Sequence, residues 1–320
     1  MSFYNVKIDN IGKIDILYSD EHNASVMINR HGCEVIGYRI TDSRGKKERE
    51  LGLMYRDSET APPESGWKNR ATILFPNVGG LKNNESKLGE VIIKSPGNHG
   101  VARHSDFELV ETSHDGSARI KYRLAANSYT REYYPFDFQL DITYELVGST
   151  LSVLFEVSNP GRETLHACWG WHPGFRTPLI PGVGSKQDCK LLFPAGKITR
   201  YHNNEHCRLT GETSELEIDG PLERTEEELE ATLMFGVDDP GMRRISLEDP
   251  IAEVAIRVDF PDMPYLGLWS EPGFEFICIE PWQGMDDHEE QETFDNKPGV
   301  VAIAPGERKT SKITVTPELL

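Results

Sequence analysis

Apolar residues recur at every second position along much of this 320-residue chain. The clearest run is Phe138, Leu140, Ile142, Tyr144 and Leu146, then a turn at Val147-Gly148-Ser149-Thr150, then Leu151, Val153, Phe155 and Val157. Successive strand side chains point to opposite faces, so this pattern predicts a long antiparallel hairpin with one buried face. Shorter runs predict strands at Lys13 to Tyr18, Ser25 to Asn29, Val35 to Ile40, Ala118 to Leu124, Lys190 to Phe193, Arg244 to Leu247, Glu253 to Phe260, Gly273 to Ile279 and Lys312 to Thr316. Helical spacing is scarce, and its best case is Thr225 to Met234, where Thr225 and Glu228 have the spacing of a capping box. Strands without alternating long helices disfavour parallel sheets and predict an all-β sandwich of antiparallel sheets. No repeat, low-complexity tract or linker divides the chain, so residues 1 to 320 read as one domain. The charged stretch from Thr210 to Glu230 reads as surface excursions.

A hydrophobic content of 38% with 9% aromatics supports a sizeable core. The opening Met1-Ser2-Phe3-Tyr4-Asn5-Val6-Lys7 has no basic segment leading into an apolar run, and no stretch reaches the roughly 18 apolar residues that span a bilayer. The expectation is a soluble, cytoplasmic chain. Its five cysteines are odd in number and form no C-x-x-C pair, so they read as reduced and mostly buried. The 34 basic against 52 acidic residues give a net charge of -18, which repels nucleic acid and anionic membranes. An anionic substrate would also be slowed, although a few local cations could still hold a phosphate. Phosphate-cradling loops of the G-x-G-x-x-G or G-x-x-x-x-G-K-[ST] type and the G-x-S-x-G turn are missing, which disfavours nucleotide-dependent redox, kinase and common esterase chemistry.

Three proton-transfer side chains stand beside Gly, Pro or Trp: His99 in Asn98-His99-Gly100, His172 in Gly170-Trp171-His172-Pro173, and Glu280 in Cys278-Ile279-Glu280-Pro281-Trp282. Alternation puts Glu280 on the face of Phe274, Phe276 and Cys278, an apolar setting that would raise its pKa and suit a general base. The bland alternative has Glu280 reaching solvent at a strand end that Pro281 terminates. His172, held extended by Pro173 at the mouth of a turn, is either a positioned acid or a hydrogen-bonded member of an aromatic cluster. Gly100 permits close backbone approach beside His99, and Arg103 follows with a cationic fork; His99 in isolation is a weak signal. His202 and His206 have the spacing of a metal pair but lack an apolar helix pattern and a third ligand, so no metal is expected.

The chain resembles the aldose 1-epimerase (galactose mutarotase) family, in its LacX-like and hexose-6-phosphate mutarotase-like branch. The resemblance rests on Ala71-Thr72-Ile73-Leu74-Phe75-Pro76-Asn77-Val78-Gly79, His99-Gly100-Val101-Ala102-Arg103, Tyr134-Pro135-Phe136-Asp137-Phe138, Gly170-Trp171-His172-Pro173, Gly267-Leu268-Trp269-Ser270 and Phe276-Ile277-Cys278-Ile279-Glu280-Pro281-Trp282. It implies a β-supersandwich with a sugar or sugar phosphate in a cleft on one sheet, no cofactor, and a monomer or homodimer. It further implies Glu280 as base on the anomeric hydroxyl, His172 as acid on the ring oxygen, His99 as a hydrogen-bonding partner, and Trp269 or Trp282 as an apolar platform. Many relatives carry Arg where this chain has Gly80, so a sugar-contacting cation would come from Lys82, Arg70 or Arg103. The acidic residue that relatives offer to a sugar hydroxyl is matched at best by Glu230. A pH-rate profile with the carboxylate on its acidic limb and the imidazole on its basic limb would follow. Two alternatives stay open: a non-catalytic sugar-binding protein on the same fold, and a glycoside hydrolase, which needs a second carboxylate about 5 to 9.5 Å from the first.

Overall fold

The computed structural model describes residues 4–8, 13–59, 63–290 and 293–320, so Met1 to Phe3 of the opening segment lie outside the described residues. Antiparallel sheets dominate, and the α-helices among the described residues are two short ones, Ser128–Tyr133 and Glu226–Glu230. The hairpin forms as patterned: Gln139–Val147 pairs with Thr150–Ser158 in a register running from Gln139 opposite Ser158 to Val147 opposite Thr150. It lies within an eight-stranded sheet ordered Lys190–Leu192, Arg244–Asp249, Val254–Asp259, Arg308–Leu319, Thr150–Ser158, Gln139–Val147, Ala118–Ala125 and Glu108–Ser113. A seven-stranded sheet is ordered Leu209–Ile218, Gly196–Asn203, Leu233–Gly236, Tyr265–Trp269, Phe276–Gln283, Trp169–Arg176 and Ala71–Leu74. Five N-terminal strands between Tyr4 and Gly52 form a third sheet.

Ile142, Tyr144, Val153, Phe155, Ile256, Val258 and Ile313 of the eight-stranded sheet share one buried cluster with Ile73, Trp171, Phe175, Phe235, Leu266, Leu268, Ile277 and Ile279 of the seven-stranded sheet. The two sheets therefore pack face to face, the supersandwich arrangement expected. Strand alternation then sends the intervening residues His172, Gly174, Gly267, Trp269, Cys278, Glu280 and Trp282 to the opposite face of the seven-stranded sheet. That outer face carries the cleft.

Three expectations change. Thr210 to Glu230 is not all surface excursion, because Leu209–Ile218 is a ten-residue strand paired with Gly196–Asn203. Its alternate positions are polar because it is the sheet's edge and faces water. The helix expected from Thr225 to Met234 keeps its capping box but ends at Glu230; Thr232 turns left-handed (φ 66°), and Leu233 pairs with Leu268 as a strand. Trp169–Arg176 was hidden from a period-two search because seven consecutive residues from Trp169 to Phe175 are buried, with both faces covered.

Candidate active site

His172 lies mid-strand, not at a turn, and the strand bearing Glu280 continues past Pro281, which pairs opposite Leu266, to Gln283. Gly170 is opposite Trp282 and Gly174 opposite Cys278, and the same register places His172 across from Glu280. Pro173 and Pro281 lack an N–H, which removes ladder hydrogen bonds around this point. The His172 Nε2 and Glu280 Oε2 atoms are 3.2 Å apart, and the side chains are 7% and 1% exposed. The approach lacks hydrogen-bond alignment: Glu280 Oε2, His172 Nδ1, Trp282 Nε1 and Thr72 Oγ1 are all buried without a protein partner. Buried polar atoms without partners are rare, and such a cluster calls for a water, a ligand or a catalytic role to account for it.

His99 reaches this pair from a loop fastened to the end of the Ala71–Leu74 strand. Its backbone is left-handed (φ 71°), as is that of Gly100, where a Cβ would lie 2.4 Å from the Phe75 carbonyl oxygen. The His99 N–H donates to the Gly79 carbonyl (2.8 Å), and the Gly79 N–H donates to His99 Nδ1 (3.0 Å). Since Nδ1 is an acceptor, the neutral ring carries its hydrogen on Nε2, the nitrogen left for the cleft. His99, His172 and Glu280 each bring a ligating atom within 4.8 Å of the others, a spacing open to a metal ion. A metal would need a bare Nε2 with Nδ1–H donating outward, the reverse of the bond His99 makes. The hydrogen bonding of His99 therefore disfavours a metal ion at the trio.

Burial pushes the Glu280 carboxyl well above the usual range, with Asp286 adding to the rise and Arg103 opposing it. Burial pushes both imidazoles well below theirs; His172 and Arg103 add to the effect on His99, and Arg103 to that on His172. All three groups are thus driven toward their uncharged forms.

Aromatic rings wall the site. Trp67 stacks on His172 (centroids 4.8 Å, 29°), and Trp269 meets His172 edge-on at 5.8 Å. Glycines seat these rings: a Cβ on Gly174 would lie 2.6 Å from Trp67, and one on Gly267 would lie 2.4 Å from Trp282. Arg103 and Glu230 also line the cleft. Arg103 donates to Asn69 Oδ1 at 2.5 Å, not to Asp106 or Glu108. Arg70 is buried outside the lining, 3.9 Å from Glu34 and bonded to the Glu59 carbonyl, and Lys82 turns outward to the Glu289 carbonyl. His202 binds Ser214, and His206 is exposed.

Two lining residues, Trp67 and Asp286, and one residue at the cleft's edge, Arg208, had no signal in the sequence pattern. Trp67 comes from a segment without periodicity. Asp286 lines the cleft, accepts the Gly80 N–H at 2.8 Å, and has its pKa raised to about 6 by burial. Arg208 stands over Gly80: a Cβ there would lie 2.8 Å from Arg208 Nη1 and 2.9 Å from Asn98 Oδ1. The bareness of residue 80 is the one clue that something else fills that space. Asp286 is thus a third carboxyl group in the cleft, beside Glu280 and Glu230.

The aldose 1-epimerase family model matches residues 15–316. Protein LacX (plasmid) of Lactococcus lactis subsp. lactis is 27% identical over 277 residues, covering 80% of this chain and 87% of LacX. A galactose mutarotase related enzyme from Lactobacillus acidophilus superposes with a TM-score of 0.79 at 25% identity, covering 99% of this chain and 97% of its own. Galactose 1-epimerase from Lactobacillus acidophilus NCFM shares the fold, with a TM-score of 0.72 over 99% of each chain, at 12% identity. With its fold, its cleft and a family match over nearly its whole length, this chain belongs to the aldose 1-epimerase family.

Proposed function

We propose that this protein interconverts the α and β anomers of a hexose or hexose phosphate by general acid/base ring opening. The observation that carries the reading is the 3.2 Å approach of His172 Nε2 to Glu280 Oε2 on an aromatic-walled floor, with His99 presenting Nε2–H beside them. The buried pair holds one proton, which rests on the carboxyl and passes to His172 as a sugar hydroxyl docks. Glu280 then takes the proton of the anomeric O1–H while His172 gives its proton to the ring oxygen. The C1–O5 bond breaks, and an aldehyde forms at C1. Rotation about C1–C2 presents the other face, and closure reverses both transfers. His99 donates a hydrogen bond to the oxygen that changes charge, and Arg103 steadies the carboxylate. No lasting charge separates and no cofactor enters; each positioned group contributes on the order of 10²- to 10⁴-fold.

The test is anomer exchange followed by polarimetry or NMR across free and 6-phosphorylated hexoses. We expect catalysed exchange in the native protein, and a loss of at least a hundredfold in Glu280→Gln, whose amide cannot accept the proton. A folded Glu280→Gln protein retaining more than about a tenth of the rate would remove Glu280 as the base. Binding without exchange by the native protein would favour the sugar-binding reading. Cleavage of aryl glycosides would establish the hydrolase reading instead.

A further inference from the structure

Three carboxyl groups, Glu230, Glu280 and Asp286, line the cleft against one lining cation, Arg103. Asp286 spends Oδ1 on the Gly80 N–H, and Oδ2 bonds to nothing among the described residues. Arg208 spends Nη2 on the Leu81 carbonyl at 2.8 Å, while Nη1 has no partner among the described residues and borders Asn98, a wall of the same cleft. Lys297 and, after it, Arg208 are close enough to Asp286 to lower its proton affinity, yet Arg208 spends its bond on Leu81 and not on Asp286. An acceptor and a donor are thus left open side by side, fixed by the backbone of residues 79 to 81.

Resting on the epimerase reading, we propose that Asp286 and Arg208 determine specificity by gripping two neighbouring hydroxyls of an unphosphorylated aldose. Asp286 accepts from one hydroxyl, and Arg208 donates to the oxygen of the next. A phosphate in this place would face the Asp286 carboxylate, whereas a neutral diol uses both groups and leaves no charge unpaired. Gly80 keeps the gap open, since any side chain there would displace Arg208.

Anomer exchange measured with a free aldohexose, its single-deoxy analogues and its 6-phosphate tests this. We expect kcat/KM at least tenfold higher for the free sugar than for the phosphate, and KM raised at least tenfold by Asp286→Asn and Arg208→Met. At least one deoxy analogue should show a similar KM penalty with native protein and little further penalty in a variant. If a variant fails to fold, the native deoxy series carries the test alone. Preference for the phosphate, or a deoxy series without any KM effect, overturns the proposal while leaving an active epimerase. Tryptophan fluorescence titration separates the two ideas: selective binding of the free sugar without exchange would sink the epimerase reading and keep the specificity.

Discussion

Glu280 and His172 hold opposite tendencies in check. Burial raises the proton affinity of the carboxyl and lowers that of the imidazole, so the single-proton pair spans the interval between two titrations that belong to the pair. The limbs of the pH-rate profile are therefore the reverse of the sequence expectation. The acidic limb marks His172 gaining a second proton, below the ordinary imidazole range, and the basic limb marks loss of the carboxyl proton, above the ordinary carboxyl range. ¹⁵N shifts should report a neutral His172 ring at pH 6 together with a bell in kcat/KM; an imidazolium at that pH contradicts this order. Stability has a matching sign. A carboxyl whose folded pKa is raised binds its proton more tightly folded than unfolded, so its contribution is lost as pH rises from the ordinary carboxyl pKa through the folded one. Glu280→Gln removes that loss and should melt no lower than the native protein at pH 8.

The strands place the rings, and the glycines let them lie flat. Gly267 faces Glu280 across the ladder, and the Trp282 ring, one alternate position along, crosses over it at 2.4 Å from where a Cβ would stand. Trp282 is only 2% exposed, so it has no open space to retreat into. Gly267→Ala should destabilise the fold by about 1–3 kcal/mol, the usual cost of overpacking, and raise KM more than it lowers kcat. An unchanged melting temperature with unchanged KM would show that the ring is not seated there. The same elements explain what the sequence disclosed. The hairpin was legible because one face is apolar, and His172 and Glu280 because a charge or imidazole stood among buried neighbours. The strand carrying His172 was not, since burial on both faces erases alternation. Leu209–Ile218 was not, since its edge position makes it polar. Trp67 and Asp286 reach the cleft, and Arg208 its edge beside Gly80, from segments far apart in sequence, and only the chain's long-range pairing brings them together.

At the scale of the whole molecule, the net charge of -18 surrounds a cleft that itself holds three carboxyl groups and one lining arginine. The long-range field repels an incoming anion, while the local one is weak, because Glu280 is held toward its uncharged form and Arg208 stands near Asp286; no helix among the described residues is long and apolar enough to cross a membrane. A neutral aldose feels neither field, so its kcat/KM should hold constant as ionic strength rises. A 6-phosphorylated hexose feels the long-range one. At about 0.01 M salt the screening length is roughly 30 Å and the repulsion spans the molecule, while at about 0.1 M it shrinks to roughly 10 Å. Its kcat/KM should therefore increase severalfold across that range, measured by anomer exchange at fixed pH. If Arg103 instead gripped the phosphate, attraction close to the site would dominate and the same titration would run downward, since salt weakens an ion pair that it screens. A downward slope that Arg103→Met abolishes would assign the phosphate to Arg103 and refute selection for a neutral sugar.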